Sequence, residues 1–231
     1  MKIKVLGSSS SGNCYVVESF FGRLILDAGV KLSTIMRGID WDTEWTACLV
    51  THMHRDHSES AADLARRGVE VFSCGEVASQ IKGAYQIEPL HLRKAGMFNV
   101  APFAVPHGDT ECYGYYIHDL DGNHLLYTTD YEYLPYNFKK QRLTHMLIEC
   151  NYSDSQNLIH EEKYEHVLKG HSSLQTALGV VEANMTDALR CVILCHVSAT
   201  ENGEAMREQV QELVGDGVSV YVARKGDVYD C

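Results

Sequence analysis

The segment Thr51-His52-Met53-His54-Arg55-Asp56-His57 places three imidazoles and one carboxylate within six residues. Imidazole and carboxylate together are donors that suit Zn, Fe, Ni or Mn. The apolar run Ala47-Cys48-Leu49-Val50 directly precedes them and reads as a buried strand. A strand delivering His-x-His-x-Asp-His into a loop is a metal-site pattern; the bland alternative is a chance His-rich surface loop. One such loop cannot close a coordination sphere, so further ligands are expected at the ends of other strands. Three places have that form: Val105-Pro106-His107, Tyr127-Thr128-Thr129-Asp130 and Leu194-Cys195-His196. Each alone is weak, because a strand-end His is a core or surface residue more often than a ligand. Together they repeat one design, an apolar strand with a ligand type at its C-terminal end.

The elements that must position these groups are short. Alternation and turn residues predict strands at residues 2–6, 14–18, 23–26, 47–50, 69–72, 96–105, 113–118 and 124–128. Met146-Leu147-Ile148-Glu149 reads as an apolar strand ending in Glu, and strands are also expected at 191–195 and 218–222. Helices are predicted at 32–37, at 59–67 with Ser58 as N-cap, and at 161–168, 173–184 and 204–214. Residues 7–12, Gly-Ser-Ser-Ser-Ser-Gly, lack the Gly-Lys-Ser/Thr ending of a P-loop. A hairpin turn is the favoured reading there; the functional alternative is an anion site lined by hydroxyls and backbone N–H groups. The aromatic stretch 131–138, followed by Lys139 and Lys140, either packs onto the sheet, as favoured, or stacks a nucleobase.

The chain has 231 residues with 45% hydrophobic content, enough for one large α/β core. No repeat, low-complexity stretch or Pro-rich linker divides it, so a single domain over residues 1–231 is expected. No apolar run approaches the roughly 20 residues of a membrane span, and residues 1–7 lack a signal peptide's apolar core. A cytoplasmic protein without a membrane partner is expected. The eight cysteines include no Cys-x-x-Cys pair and read as buried free thiols, Cys191 and Cys195 being core residues rather than ligands. A formal charge of −11 argues against a broadly basic surface for nucleic acid. It does not exclude a phosphodiester substrate, because two divalent cations would return positive charge to a local site.

Taken in order, Leu26-Asp27-Ala28-Gly29, His52/His54/Asp56/His57, His107, Asp130 and His196 resemble the metallo-β-lactamase superfamily over nearly the whole chain. The resemblance implies a four-layer αββα sandwich with a two-metal site at one sheet edge. By position, His52, His54 and His107 would hold one ion. Asp56, His57 and His196 would hold the second, and Asp130 would bridge them. Asp27 would orient the His loop; a structural turn Asp is its alternative. Zn or Mn, with Fe also suitable, would lower the pKa of a bridging water and stabilise the transition state.

Two further segments narrow the resemblance. The Glu149 strand end and the loop Lys169-Gly170-His171-Ser172 are similar to the paired Glu and His elements of the tRNA 3′-processing endonucleases. There a Glu–His couple would protonate the leaving oxygen. This chain has Ile148 where those enzymes carry a His before the Glu. The opening Gly-Ser-x-Ser-Ser-Gly-Asn and the Gly-His-x-Ser loop are closer to a small bacterial and phage group of exonuclease-like proteins, encoded beside a cell-wall two-component system. The implied activity is metal-dependent cleavage of nucleic acid or nucleotide phosphodiesters, DNA being favoured, with His171, Glu149 and Asp56 as catalytic residues. A lactone or thioester hydrolase would share the same ligands, and a non-hydrolytic metal sensor is a third reading.

Overall fold

A computed structural model describes residues 1–153 and 169–231; the helix expected at 161–168 lies outside them. The described residues form strands β1 (Lys2–Gly7), β2 (Cys14–Ser19), β3 (Gly22–Leu26), β4 (Thr46–Leu49), β5 (Glu70–Ser73), β6 (Ala84–Gln86) and β7 (Arg93–Ala95). They continue with β8 (Phe98–Val105), β9 (Cys112–His118), β10 (His124–Thr128), β11 (His145–Glu149), β12 (Cys191–Cys195), β13 (Ser219–Val222) and β14 (Val228–Asp230). Helices are α1 (Leu32–Gly38), α2 (Arg55–Ser58), α3 (Ala61–Arg66), α4 (Gly75–Gln80), α5 (Leu174–Asn184) and α6 (Gly203–Val214).

The strands make two seven-stranded sheets, ordered β14-β1-β2-β3-β4-β5-β6 and β13-β12-β11-β10-β9-β8-β7. Alternation of side chains assigns each face of the second sheet. Cys191, Ile193 and Cys195 of β12 join the core shared with the first sheet, as do Leu125 and Tyr127 of β10. Val192, Leu194, Leu126, Met146 and Ile148 point the other way, into a second core closed by Ala177 and Val181 of α5 and Val210 of α6. Helices α1, α3 and α4 lie against the first sheet. Buried on both faces, the central strands read as continuous apolar runs. The result is four layers, αββα.

Strand direction decides where the chemistry collects. β3, β4 and β5 run parallel, as do β10, β11 and β12. β8 and β10 each run antiparallel to the β9 between them, so they share one direction. The C-terminal ends of β3, β4, β8, β10, β11 and β12 therefore meet at one edge of the sandwich, where open α/β sheets bind ligands.

The structure corrects four local expectations. The strand expected at 96–105 starts only at Phe98, because Gly96, whose φ is 55°, turns the β7–β8 hairpin. Ser58 is not an N-cap; it ends α2, with its hydroxyl donating back to the Met53 and His54 carbonyls at 3.0 Å. The helix predicted over 59–67 begins only at Ala61. Cys191 is core, yet it is disulfide-bonded to Cys231, which leaves six buried free thiols rather than eight. Ser173 does cap α5, accepting from the Thr176 N–H at 3.1 Å. In the aromatic stretch, Tyr131 and Phe138 are buried while Tyr133 is exposed.

Candidate metal centre

The His loop leaves β4 at Val50 and folds its second half into the single turn of α2. Asp27, just after β3, organises it. Its Oδ1 accepts from the Thr51 N–H at 2.8 Å and the Thr51 hydroxyl at 3.0 Å. Its Oδ2 accepts from His57 Nδ1 at 2.8 Å and the Tyr127 hydroxyl at 2.5 Å. The same Thr51 hydroxyl, already donating to Asp27, takes His52 Nδ1 at 2.9 Å. His107 Nδ1 donates to the Gly170 carbonyl at 2.7 Å. These partners fix the ring orientations, so the opposite nitrogens of His52, His57 and His107 face the cluster and, in the neutral form, would present lone pairs to an ion.

Those lone pairs converge. His52 Nε2 and His107 Nε2 lie 2.9 and 3.1 Å from His54 Nδ1, and 3.8 and 3.9 Å from Asp130 Oδ2. A tetrahedral ligand set with bonds of about 2.0–2.1 Å has edges of about 3.3 Å. The other oxygen of Asp130 faces a second group. Asp130 Oδ1 is 3.4 Å from His57 Nε2 and 3.1 Å from His196 Nδ1. Asp56 Oδ2 is 3.4 Å from His57 Nε2 and 3.8 Å from His196 Nε2. His196 donates Nδ1 to Glu149 Oε1 at 2.7 Å, which leaves Nε2 buried without a hydrogen-bond partner among the described residues. A buried imidazole nitrogen with no hydrogen-bond partner, beside carboxylates, would be satisfied as the lone pair of a neutral ring by a cation. Three overlapping sets of ligand atoms arise: His52/His54/His107/Asp130, Asp56/His57/His196 and Asp130/Glu149/His171/His196. The donor set fits two divalent ions.

Asp27, Asp130 and His196 share a backbone feature. Each directly follows a strand, or lies one residue beyond it, and has φ of 58°, 51° and 52°. This left-handed region disfavours residues with a Cβ, and it swings each side chain out of the strand's alternation toward the edge. Close approach matters too: a Cβ on Gly29 would sit 1.6 Å from the Asp56 carbonyl oxygen, so only glycine lets the Asp27 turn touch the His loop.

Electrostatics divide the imidazoles. Burial first, and then the charge on His57, hold His52 well below its ordinary value; burial also lowers His107. Both are neutral, as ligands must be. Burial opposes protonation of His57 and His196 as well, but Asp130 outweighs it, with Asp27 adding at His57, whose value rises well above normal. His196 is pushed up to about 10. Burial would raise Asp130, yet His196 and His57 hold it well below the carboxylate range. The carboxylates thus draw positive charge into the cluster, the place a divalent ion would take.

At the rim, His171 Nδ1 lies 2.8 Å from Glu149 Oε1, the oxygen that His196 also contacts. Ser172 N–H and Tyr131 N–H donate to Glu149 Oε2 at 3.0 and 3.4 Å. Burial pushes Glu149 up, but the His171 charge and its hydrogen bonds prevail and the value falls. Burial lowers His171, and Glu149 overcomes it, so His171 titrates higher than an ordinary imidazole. The His171 ring is 6.0 Å from that of His107 and 5.2 Å from that of His196.

All ten residues singled out in the sequence meet at this edge: Asp27, His52, His54, Asp56, His57, His107, Asp130, Glu149, His171 and His196. Sequence reasoning missed Asn13, buried with Nδ2 3.0 Å from His57 Nε2, and Tyr127. A Gly-Asn pair at a strand start was the available signal for the first. An inward-facing Tyr three residues before the strand-end Asp130 was that for the second.

Fold and edge together define a protein of the metallo-β-lactamase fold. YhfI of Bacillus subtilis, a metallo-β-lactamase fold protein, superposes over 99% of both chains with a TM-score of 0.77 at 19% identity. The short form of human tRNase Z (ELAC1) does so over 100% of this chain and 99% of its own, with a TM-score of 0.71 at 14% identity. In sequence, the chain is similar to exodeoxyribonuclease WalJ of Streptococcus pneumoniae, 34% identical over 77 residues. That match takes in 31% of this chain, and the chain spans only 29% of the length of this curated relative. No family model matches the sequence. Among the described residues, no helix is long and apolar enough to cross a membrane.

Proposed function

We propose that this chain is a dinuclear-metal phosphodiesterase acting on nucleic acid or nucleotide, DNA being favoured, and that residues 1–231 work as one domain in the cytoplasm. The observation that carries the reading is the 2.8 Å contact between His171 and Glu149 at the rim of the ligand cluster. Hydrolysis of an ester by metal alone does not need such a couple. Expelling an alkoxide from a phosphodiester does, because the leaving oxygen requires a proton. His171, held charged by Glu149, donates it. Glu149 also fixes His196, which ties the orientation of the donor to that of a ligand.

His52, His54 and His107 would hold one ion, Asp56, His57 and His196 would hold the other, and Asp130 would serve both. Zn or Mn fits these donors, and Fe is compatible with them. Bound there, the ions supply Lewis acidity toward the phosphoryl oxygens and lower the pKa of an attacking water. Asp27 and Thr51 hold the imidazoles at the angle that this requires. The likeness to an exodeoxyribonuclease and a tRNase supports a nucleic-acid substrate.

The test loads the protein with Mn or Zn and assays bis(p-nitrophenyl) phosphate, single-stranded DNA, and a panel of lactones and thioesters. Phosphodiester cleavage is expected, with His171→Ala lowering turnover by about 10²-fold while two metals stay bound. Lactone or thioester turnover without phosphodiester turnover would overturn the reading.

A further inference from the structure

The serine-rich loop is a sequence motif that the metal centre does not absorb. It forms one wall of a cavity of about 600 Å³, completed by Gly29–Lys31, Arg55 and the 223–225 turn. Four cations line it, Lys31, Arg55, Arg224 and Lys225, against a single anion, Glu59. The local balance is 4 − 1 = +3 on a chain of net charge −11. Among the described residues, Arg55 and Arg224 make only long ion pairs, 3.5 Å to Glu59 and 3.6 Å to Glu204. Lys31 and Lys225, both exposed, have no ion pair among the described residues.

The loop is also wired to the metal edge. Ser8 Oγ accepts from the His196 N–H at 3.0 Å and from the Tyr15 hydroxyl at 2.9 Å. Both acceptor sites of that hydroxyl are taken, so its own proton is the donor left over, and Ser8 lines the cavity. Asn13, at the end of the loop, touches His57. Arg55 stands between His54 and Asp56 in the chain. The cavity and the ligand cluster are thus two sides of the same loop.

We propose that this cavity is a phosphate subsite, which takes a phosphate group of the substrate other than the one being cleaved. The inference rests on the phosphodiesterase reading. Lysines supply point charges and arginines planar forks, the combination that holds a multiply charged, freely oriented phosphate. On a chain of net charge −11, a +3 cavity beside the cluster is a local attractor for a polyanion. The phosphate can be a terminal monoester or an internal diester, and the experiment separates them.

Inorganic phosphate titrated calorimetrically into the metal-loaded chain should show one site fewer per chain in the double variant Lys31→Glu/Lys225→Glu than in the wild type. Unchanged stoichiometry and affinity would overturn the subsite. In parallel, kinetics are compared on 5′-phosphorylated and 5′-hydroxyl strands of one sequence. If the cavity takes a terminal phosphate, the wild type prefers the phosphorylated strand by tenfold or more and the variant by about onefold. If it takes an internal diester, the wild type treats both alike and the variant raises KM tenfold for both. Equal KM values in wild type and variant on both strands overturn the proposal. A wild type that cleaves neither strand overturns the phosphodiesterase reading instead, while the calorimetric arm still decides the cavity.

Discussion

The two ends of the sandwich bury histidines with opposite consequences. At the metal edge, His52, His57, His107 and His196 each spend one nitrogen on a fixed partner and aim the other at ligand atoms. At the far end, His145 opens β11 and is equally buried, yet both its nitrogens are occupied: Nδ1 meets the Thr144 hydroxyl at 2.7 Å and Nε2 the Cys231 carbonyl at 2.6 Å. Nearby, Asp119 is likewise closed off, its carboxylate receiving the Asp121 and Asn123 N–H groups at 2.9 Å and the Asn123 side chain at 2.7 Å. Burial does not distinguish a ligand from a core histidine. The second nitrogen does.

The strongest way to break this contrast is to delete one imidazole from each end. His52→Ala should cut bound metal from two ions to at most one and lower hydrolysis by about 10³-fold or more, the scale of losing a Lewis acid. His145→Ala should leave metal content at two. Elemental analysis of both variants after exhaustive dialysis reads the difference, and equal metal loss would erase it.

Glycines offer a second comparison. Gly29→Ala drives a Cβ to 1.6 Å from the Asp56 carbonyl oxygen and 2.7 Å from the His57 nitrogen. Backbone on both sides must move, so destabilisation of about 4 kcal/mol or more is expected. Gly122 has φ of +80° with nothing within 4 Å, so Gly122→Ala should cost only about 1 kcal/mol of backbone strain. Denaturant midpoints measure both.

Protonation separates the ends next. Burial holds His145 down at about 4, against the opposing carbonyl of Cys231. An unfolded histidine titrates near 6.5, so between those values the unfolded chain binds a proton that the folded chain refuses. Stability is therefore complete above about 6.5, falls as pH drops toward 4, and levels off below it, by about 3 kcal/mol at most. His145→Gln should flatten that part of the stability profile. A profile unchanged by the substitution would mean that His145 is solvated.

Asp27→Asn is the mildest perturbation. It keeps the size of the group that holds Thr51, His57 and Tyr127 while removing its charge. Metal affinity should fall by about 10–100-fold, visible in competition with a chelator, with stoichiometry at saturation still two.

Much of the edge was legible because ligand types stand where apolar runs stop. His107, Asp130, Glu149 and His196 all terminate runs that alternate correctly between two cores, and parallel pairing then brings the ends together. What stayed hidden depended on distant partners or on weak patterning. Cys231 reaches Cys191 across a sequence separation of 40, which no local pattern encodes. Arg93-Lys94-Ala95 and Val228-Tyr229-Asp230 are three-residue edge strands with charged ends, the composition that keeps an edge from pairing with another chain. Ser58 looked like a cap because it precedes a helical pattern; the tight turn of α2 had already claimed its hydroxyl.

The left-handed backbone at Asp27, Asp130 and His196 couples the candidate site to conformational cost. Each such residue carries about 1–2 kcal/mol of conformational cost that glycine would not, though glycine's freedom in the unfolded chain offsets part of the gain. A change to glycine at Asp130 or His196 would remove a candidate ligand and the backbone cost together, but it would leave buried charge partners unbalanced.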